Sequence, residues 1–366
     1  MSADDHFADH HEEDAAPGGA SRGDSRRTSF RDSPFLPAVV LGFILAAAAG
    51  LFAGSYTYTM ANPTPRHIPA ATVDYTGAGV PRDFVAAMEK ALGASLELRP
   101  YSGGAAARAD MEEQRVFAIL TFRGDDVRLD VAGAAGQSVA QVLVGAAPAA
   151  AREAGAGLRV RDLKPLQPGD PRGLAIFYIS LAAVIIGFVG AIQLSVHARD
   201  LDPPERIAAI AGYAVLGSFS IAAVVDWLLG ALDLPFAESW FILAFTMFTS
   251  GMVFTMFNTL FGRWAMLPTW GLMVLLGNPS SGGAVSWPLL PSPLGRIGQW
   301  LPPGASVNAQ HTAVYFGDAQ HAFPFLVLAA WAAVSTTVFW VWRHRHPGGR
   351  STGRPDEPAA DTPAGA

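Results

Sequence analysis

Long apolar runs alternate with polar stretches along the chain. Six of them lie at roughly 35–57, 174–196, 207–229, 239–261, 264–280 and 322–342. A bilayer core of about 30 Å is crossed by about 20 apolar residues in a helix, so each run is read as a transmembrane helix. The fifth is the shortest. It contains Pro268 and ends at Gly277-Asn278-Pro279, so it either crosses or enters and turns back. The run at 35–57 follows a long polar tail, which favours a retained anchor over a cleaved signal peptide.

Between the first and second runs, residues 58–173 carry shorter periods. Strands are predicted at 69–75, 96–98, 116–122, 127–131 and 158–163, and helices at 81–92, 105–114 and 138–154. Phe84, Val85, Met88 and Leu92 share one helical face. Arg123-Gly124-Asp125-Asp126 is a hairpin turn, and Pro148 is expected to interrupt its helix. Alternating strands and helices predict a mixed sheet with helices packed on it. The fold class is thus an α-helical membrane protein: six transmembrane segments, an extracytoplasmic α/β domain at 58–173, and a five-segment membrane domain at 174–342. Within that last part, 277–304 is too apolar for a solvated loop and too rich in Pro and Gly for a spanning helix. It is read as a re-entrant region dipping in from the outer side.

Charge then orients the chain. Only 15% of residues are charged, against about 25% in a soluble protein. Arg22, Arg26, Arg27 and Arg31 precede the first run; Arg199 and Arg206 lie between the second and third; Arg263 follows the fourth; Arg343, Arg345 and Arg350 follow the sixth. The 230–238 loop has no basic residue, and 281–321 has only Arg296. Basic short flanks stay inside, so both tails (1–34 and 343–366, read as disordered) are expected in the cytoplasm of a multi-pass plasma-membrane protein, with 58–173 outside. The bias toward Arg, Ala and Gly fits a GC-rich bacterial genome.

Candidate chemistry is sparse. With no cysteine, disulfides and thiolate chemistry are excluded. The phosphate-cradling Gly-x-x-x-x-Gly-Lys pattern, Gly-x-Ser-x-Gly and His-Glu-x-x-His are absent, so no enzyme, cofactor or metal is expected, and no basic stripe with aromatics indicates nucleic acid. His6, His10, His11, Glu12 and Glu13 read as an incidental cluster, and His311 and His321 have no partner at ligand spacing. Asp226, beside Trp227, is open to two readings: a group at the water interface, or a substrate or proton site. The hydroxyl-rich fourth run (Thr246, Thr249, Ser250, Gly251, Thr255, Asn258, Thr259) either packs helices or lines a polar path.

One signature stands out: Gly277-Asn278-Pro279-Ser280-Ser281-Gly282-Gly283, a Pro-Leu-Leu-Pro segment, then Trp300-Leu301-Pro302-Pro303-Gly304-Ala305. Upstream, Gly133-Ala134-Ala135-Gly136-Gln137-Ser138 and the 165–173 stretch with Asp170-Pro171-Arg172-Gly173 accompany it. Over roughly 35–345 the chain resembles the phage-infection-protein-like (YhgE/Pip) branch of the ABC transporter type-2 permease superfamily. The resemblance implies a permease subunit, homodimeric or heterodimeric, that exports a hydrophobic or amphiphilic substrate and is energised by a separate ATPase chain. Asn278, Pro279, Ser280, Ser281, Gly282, Gly283, Pro302, Pro303 and Gly304 would form the path or gate with Asp226 and Asn258. Arg199, Asp200, Asp202, Glu205 and Arg206 would meet the ATPase. The chain departs from the family in the turn 197–206, which has only ten residues where a coupling helix would be sought. A non-transporting envelope scaffold or surface receptor on the same frame is the alternative.

Overall fold

The computed structural model describes residues 35–61 and 65–346. The tails and the histidine cluster near the amino terminus lie outside them. The chain divides into two compact units, Met1–Gly50 and Leu51–Ala366. The described part of the first is the start of helix α1 (Leu36–Tyr56), which continues as a π-helical turn, Thr57–Ala61.

In the second unit, residues 68–162 form a five-stranded sheet with helices on both faces. Its elements are β1 (Ile68–Val73), α2 (Gly79–Leu92), β2 (Leu96–Tyr101), α3 (Gly104–Glu112), β3 (Ala118–Arg123), β4 (Asp126–Val131), α4 (Gln137–Ala154) and β5 (Gly157–Asp162). The strand order is β2-β1-β3-β4-β5. β1 runs parallel to β2 and β3, β4 is antiparallel to β3, and β5 is parallel to β4. The β3–β4 turn is the residue pair Gly124-Asp125, with Gly124 at φ 61°, a value glycine adopts without strain. Strand alternation serves two cores. Ile68, Ala70, Leu120 and Phe122 meet α2 and α4, while Ala71, Val73 and Ile119 meet Ala107 and Met111 of α3. Pro148 does not interrupt α4 as expected. It sits on the exposed face, where a carbonyl deprived of its helical donor can bond water.

The helical part comprises α5 (Ala175–His197), α6 (Pro203–Ala223, extended by a π turn to Leu228), α7 (Phe236–Phe261), α8 (Met266–Trp270), α9 (Ser292–Gly298), α10 (Pro302–Tyr315) and α11 (Ala322–Arg345). Among the described residues, five helices are long and apolar enough to cross a bilayer: Leu36–Ala61, Ala175–His197, Pro203–Leu228, Phe236–Trp264 and Ala322–Arg345. These mark a multi-pass membrane protein. The sixth expected span is not among them. Its helix, Met266–Gly277, has 12 residues (277 − 266 + 1) and is π-helical from Gly271 on. At 1.5 Å per residue it is about 18 Å long.

α7 is the centre of the helices, with α5, α6, α10 and α11 packed on it. A side chain on Gly187 would fall 2.6 Å from Met247 O, so glycine lets α5 and α7 approach closely. The Tyr213 hydroxyl of α6 donates to Gly187 O, and Ser250 Oγ donates to Val184 O at 2.7 Å. Four other α7 hydroxyls turn back on their own helix, each at 2.8 Å: Thr246 to Ile242 O, Thr249 to Phe245 O, Thr255 to Gly251 O and Thr259 to Thr255 O. α10 lies against the first half of α7, since Thr246 Oγ1 meets Ser306 Oγ at 2.9 Å and Gln310 Nε2 donates to Ser239 O at 2.8 Å. The stretch before α9 joins the α/β core instead, where Val285, Leu289 and Leu290 are buried with α2 and α4.

Candidate functional site

Three short segments meet where the sheet-bearing part rests on the helices. The first is the turn from β4 into α4. Gly133 N and Lys164 N both donate to Asp162 Oδ1 at 3.0 Å, fixing that turn to the end of β5. A side chain on Gly136 would lie 2.6 Å from Ser286 Oγ and 3.1 Å from the Phe117 ring, so only glycine fits. α4 then starts without a capping side chain, and Ser138 Oγ both accepts from Ser286 N at 2.9 Å and meets Ser286 Oγ at 2.9 Å.

The second segment is 165–174. The buried Asp170 carboxylate accepts from Leu174 N at 3.1 Å and Ala175 N at 2.8 Å, capping α5. The Gln167 amide clasps the backbone of Asp233, donating to its carbonyl at 3.2 Å and accepting from its N–H at 2.6 Å. The third segment is 278–286, where the helix begun at Met266 unwinds. Gly282 has φ 84° and lies under Trp287, and Gly283 lies between Phe177 and Val307. Asn278 Nδ2 donates to the Tyr56 hydroxyl at 2.6 Å, and Ser280 Oγ donates to Leu276 O at 2.6 Å.

Together these segments and α10 enclose a cavity of about 350 Å³. Gln114, Gln137, Ser138, Gln141, Ser286, Asn308 and His311 supply polar groups; Phe117, Leu166, Leu174, Trp287 and Val307 supply apolar ones; Arg172 is the single charged residue lining it. Gln114, at φ 58°, also donates to Thr312 Oγ1 at 2.9 Å, joining the α3–β3 turn to α10. Asn308 Oδ1 and Trp287 Nε1 are buried without a hydrogen-bond partner. Buried polar atoms are almost always bonded, so these two are open to water or a bound molecule. Burial pushes the His311 imidazole down to about 4, so it is neutral at physiological pH. Amide and hydroxyl groups facing aromatic and aliphatic surface suit a ligand with a polar head and an apolar body. Among the described residues no group of three or more His, Asp or Glu could hold a metal ion.

The sequence-predicted residues divide. Gly282 and Gly283 line this cavity. Asn278, Pro279, Ser280 and Ser281 are buried beside it, and Pro302, Pro303 and Gly304 pack behind them: Pro303 against Gly277, Gly304 against Gly298. Asp226 sits in the last turn of the α6 extension and lines none of the cavities described here. Asn258 is remote from the junction; it lines a second cavity, of about 370 Å³, at the opposite end of the helices with Arg199 and Arg206. Asp202 and Glu205 form a capping box at the start of α6, Arg206 Nη2 donates to Ala198 O at 3.0 Å, and Asp200 is exposed. Sequence reasoning missed Gln137, Gln141 and Asn308. The i, i+4 spacing of Gln137 and Gln141, and of Val307 and His311, was a usable signal, since it puts each pair on one helical face.

No family model, curated protein or solved structure matches this chain.

Proposed function

We propose that the chain is the permease subunit of an exporter for a hydrophobic or amphiphilic substrate, with the junction cavity as the place where substrate leaves the helices. One observation carries this reading. Residues from 133–138, 166–174 and 282–287, far apart in sequence, converge with α10 on a single cavity of mixed polarity. A helix that stops part-way and continues as unwound backbone is a recurrent way to build a transport site, because its exposed amides and carbonyls face the cavity. In this reading Met266–Gly277 rises from the tail side, 278–286 completes the passage, and α9 and α10 form a re-entrant pair. Both tails are then cytoplasmic and the sheet-bearing part is outside. The subunit works as a homodimer or heterodimer, and a separate ATPase supplies energy from the tail side.

A second reading has its own support. Asp202 and Glu205, which were to meet the ATPase, are engaged in the α6 capping box. That favours an envelope scaffold or receptor on a permease-like frame. Purification of the full chain from its host in mild detergent tests the two. The transport reading expects a co-purifying nucleotide-binding subunit, and loss of amphiphile efflux both on deletion of the gene and in Asn308→Ala. Unchanged efflux on deletion, with no such subunit, would leave only the scaffold.

A further inference from the structure

The junction cavity holds two unmet hydrogen-bonding atoms of opposite kind. Trp287 Nε1 and Asn308 Oδ1 are both buried without a partner. The indole nitrogen stands over Gly282, since a Cβ there would lie 2.7 Å from it, and Gly282, Trp287 and Asn308 all line the cavity. An indole N–H only donates. The Asn308 amide offers a carbonyl oxygen and an N–H side by side, whichever way it is turned. Gln137 and Gln141, one turn apart on α4, add two more amides of the same double character. The Ser138 and Ser286 hydroxyls, 2.9 Å apart, already pair with each other. The lining therefore asks for donors and acceptors together.

That demand separates ligand heads by class. A carboxylate or phosphate only accepts and an ammonium only donates, so each leaves part of the amide lining unmatched. An alcohol hydroxyl does both. Arg172 also lines the space but is exposed, so water meets its charge and it calls for no anion. Ordered water would satisfy the two buried atoms, but it would leave the Phe117, Leu166 and Val307 surfaces wet. A sugar ring combines hydroxyl edges with C–H faces that pack on aromatic rings. The volume of about 350 Å³ is at the low end for ligand pockets, which suits one such ring with the start of an apolar tail. On the reading that this cavity is the exporter's substrate site, we infer that the substrate is a neutral glycolipid, its monosaccharide head held by Trp287, Asn308, Gln137 and Gln141.

The test uses the full chain in a polyoxyethylene detergent, because glucoside and maltoside detergents carry the expected head. Native mass spectrometry compares retention of dioleoylglycerol bearing one glucose with that of dioleoyl-phosphatidylglycerol and dioleoyl-phosphatidylcholine. Preference for the glucolipid is expected, falling about fivefold in Asn308→Leu and in Trp287→Phe, the equivalent of about 1 kcal/mol for one hydrogen bond. Asn308→Leu replaces an unpartnered buried group by an apolar one of similar size, so the ligand-free melting temperature should hold or rise. Should it fall, Trp287→Phe decides, since it keeps an aromatic ring and removes the N–H. Millimolar methyl glucoside forms a further arm. Displacement of the glucolipid assigns recognition to the sugar alone, and lack of displacement to head and tail together; both support the site. Equal retention of the three lipids, a preference for phosphatidylglycerol, or an undiminished preference in either variant would overturn it. Efflux reports separately: no change on gene deletion, with the glucolipid still preferred, would sink the transport reading alone.

Discussion

Two cavities of nearly equal volume, about 350 and 370 Å³, lie at opposite ends of the helices and are built by different means. The junction cavity is made where backbone leaves the helix. Gly136, Gly282 and Gly283 let main chain approach rings and hydroxyls, and the walls come from the sheet-bearing part as well as the helices. The opposite cavity is made by side chains at the ends of α5, α6, α7 and α11, and its character is charge. The first should therefore be sensitive to the size of its residues, the second to their ionisation.

The sharpest contrast is Gly282→Val. A β-branched residue at φ 84°, with its Cβ driven against the Trp287 ring, should cost about 2–4 kcal/mol. Thermal melting should fall by several degrees, whereas Asn258→Ala in the opposite cavity should stay within about 0.5 kcal/mol. Equal tolerance at both positions would erase the distinction. Asp170→Ala comes next: it removes both cap bonds of α5 and should lose about 1–2 kcal/mol, with Asp170→Asn losing less, read by the same melting curves. Ser138→Ala, which unties α4 from Ser286, should cost about 1 kcal/mol and speed protease cleavage near 278–290.

The smallest effect at neutral pH belongs to His311. Its folded pKa of about 4 lies below the ordinary 6.5, so the unfolded chain binds the extra proton. Its contribution is complete above pH 6.5 and is lost as pH falls toward 4, a slope that His311→Gln should remove.

Much of the fold is legible in single segments. The β3–β4 hairpin follows from Gly124 between two β-branched and aromatic runs, and the buried face of α2 follows from Phe84, Val85, Met88 and Leu92 at helical spacing. Five apolar runs coincide with helices long enough to span. The site was less legible. The Gly277–Gly283 and Pro302–Gly304 runs drew attention as an opening, yet most of these residues are buried and their glycines serve close backbone packing. The polar lining carries one local hint, the i, i+4 spacing of Gln137 and Gln141, and nothing local ties Asn308 to them. It becomes a site through pairings such as Ser138 with Ser286, 148 residues apart.

Apolar run length and strand or helix periodicity were settled by the chain alone, because they depend on neighbours within one or two turns. That Leu289 and Leu290 join the core of the sheet, that the fifth run stops after twelve helical residues, and that three arginines share one hollow were decided by tertiary packing. Each depends on which distant surfaces exclude water from one another, and no local period encodes that.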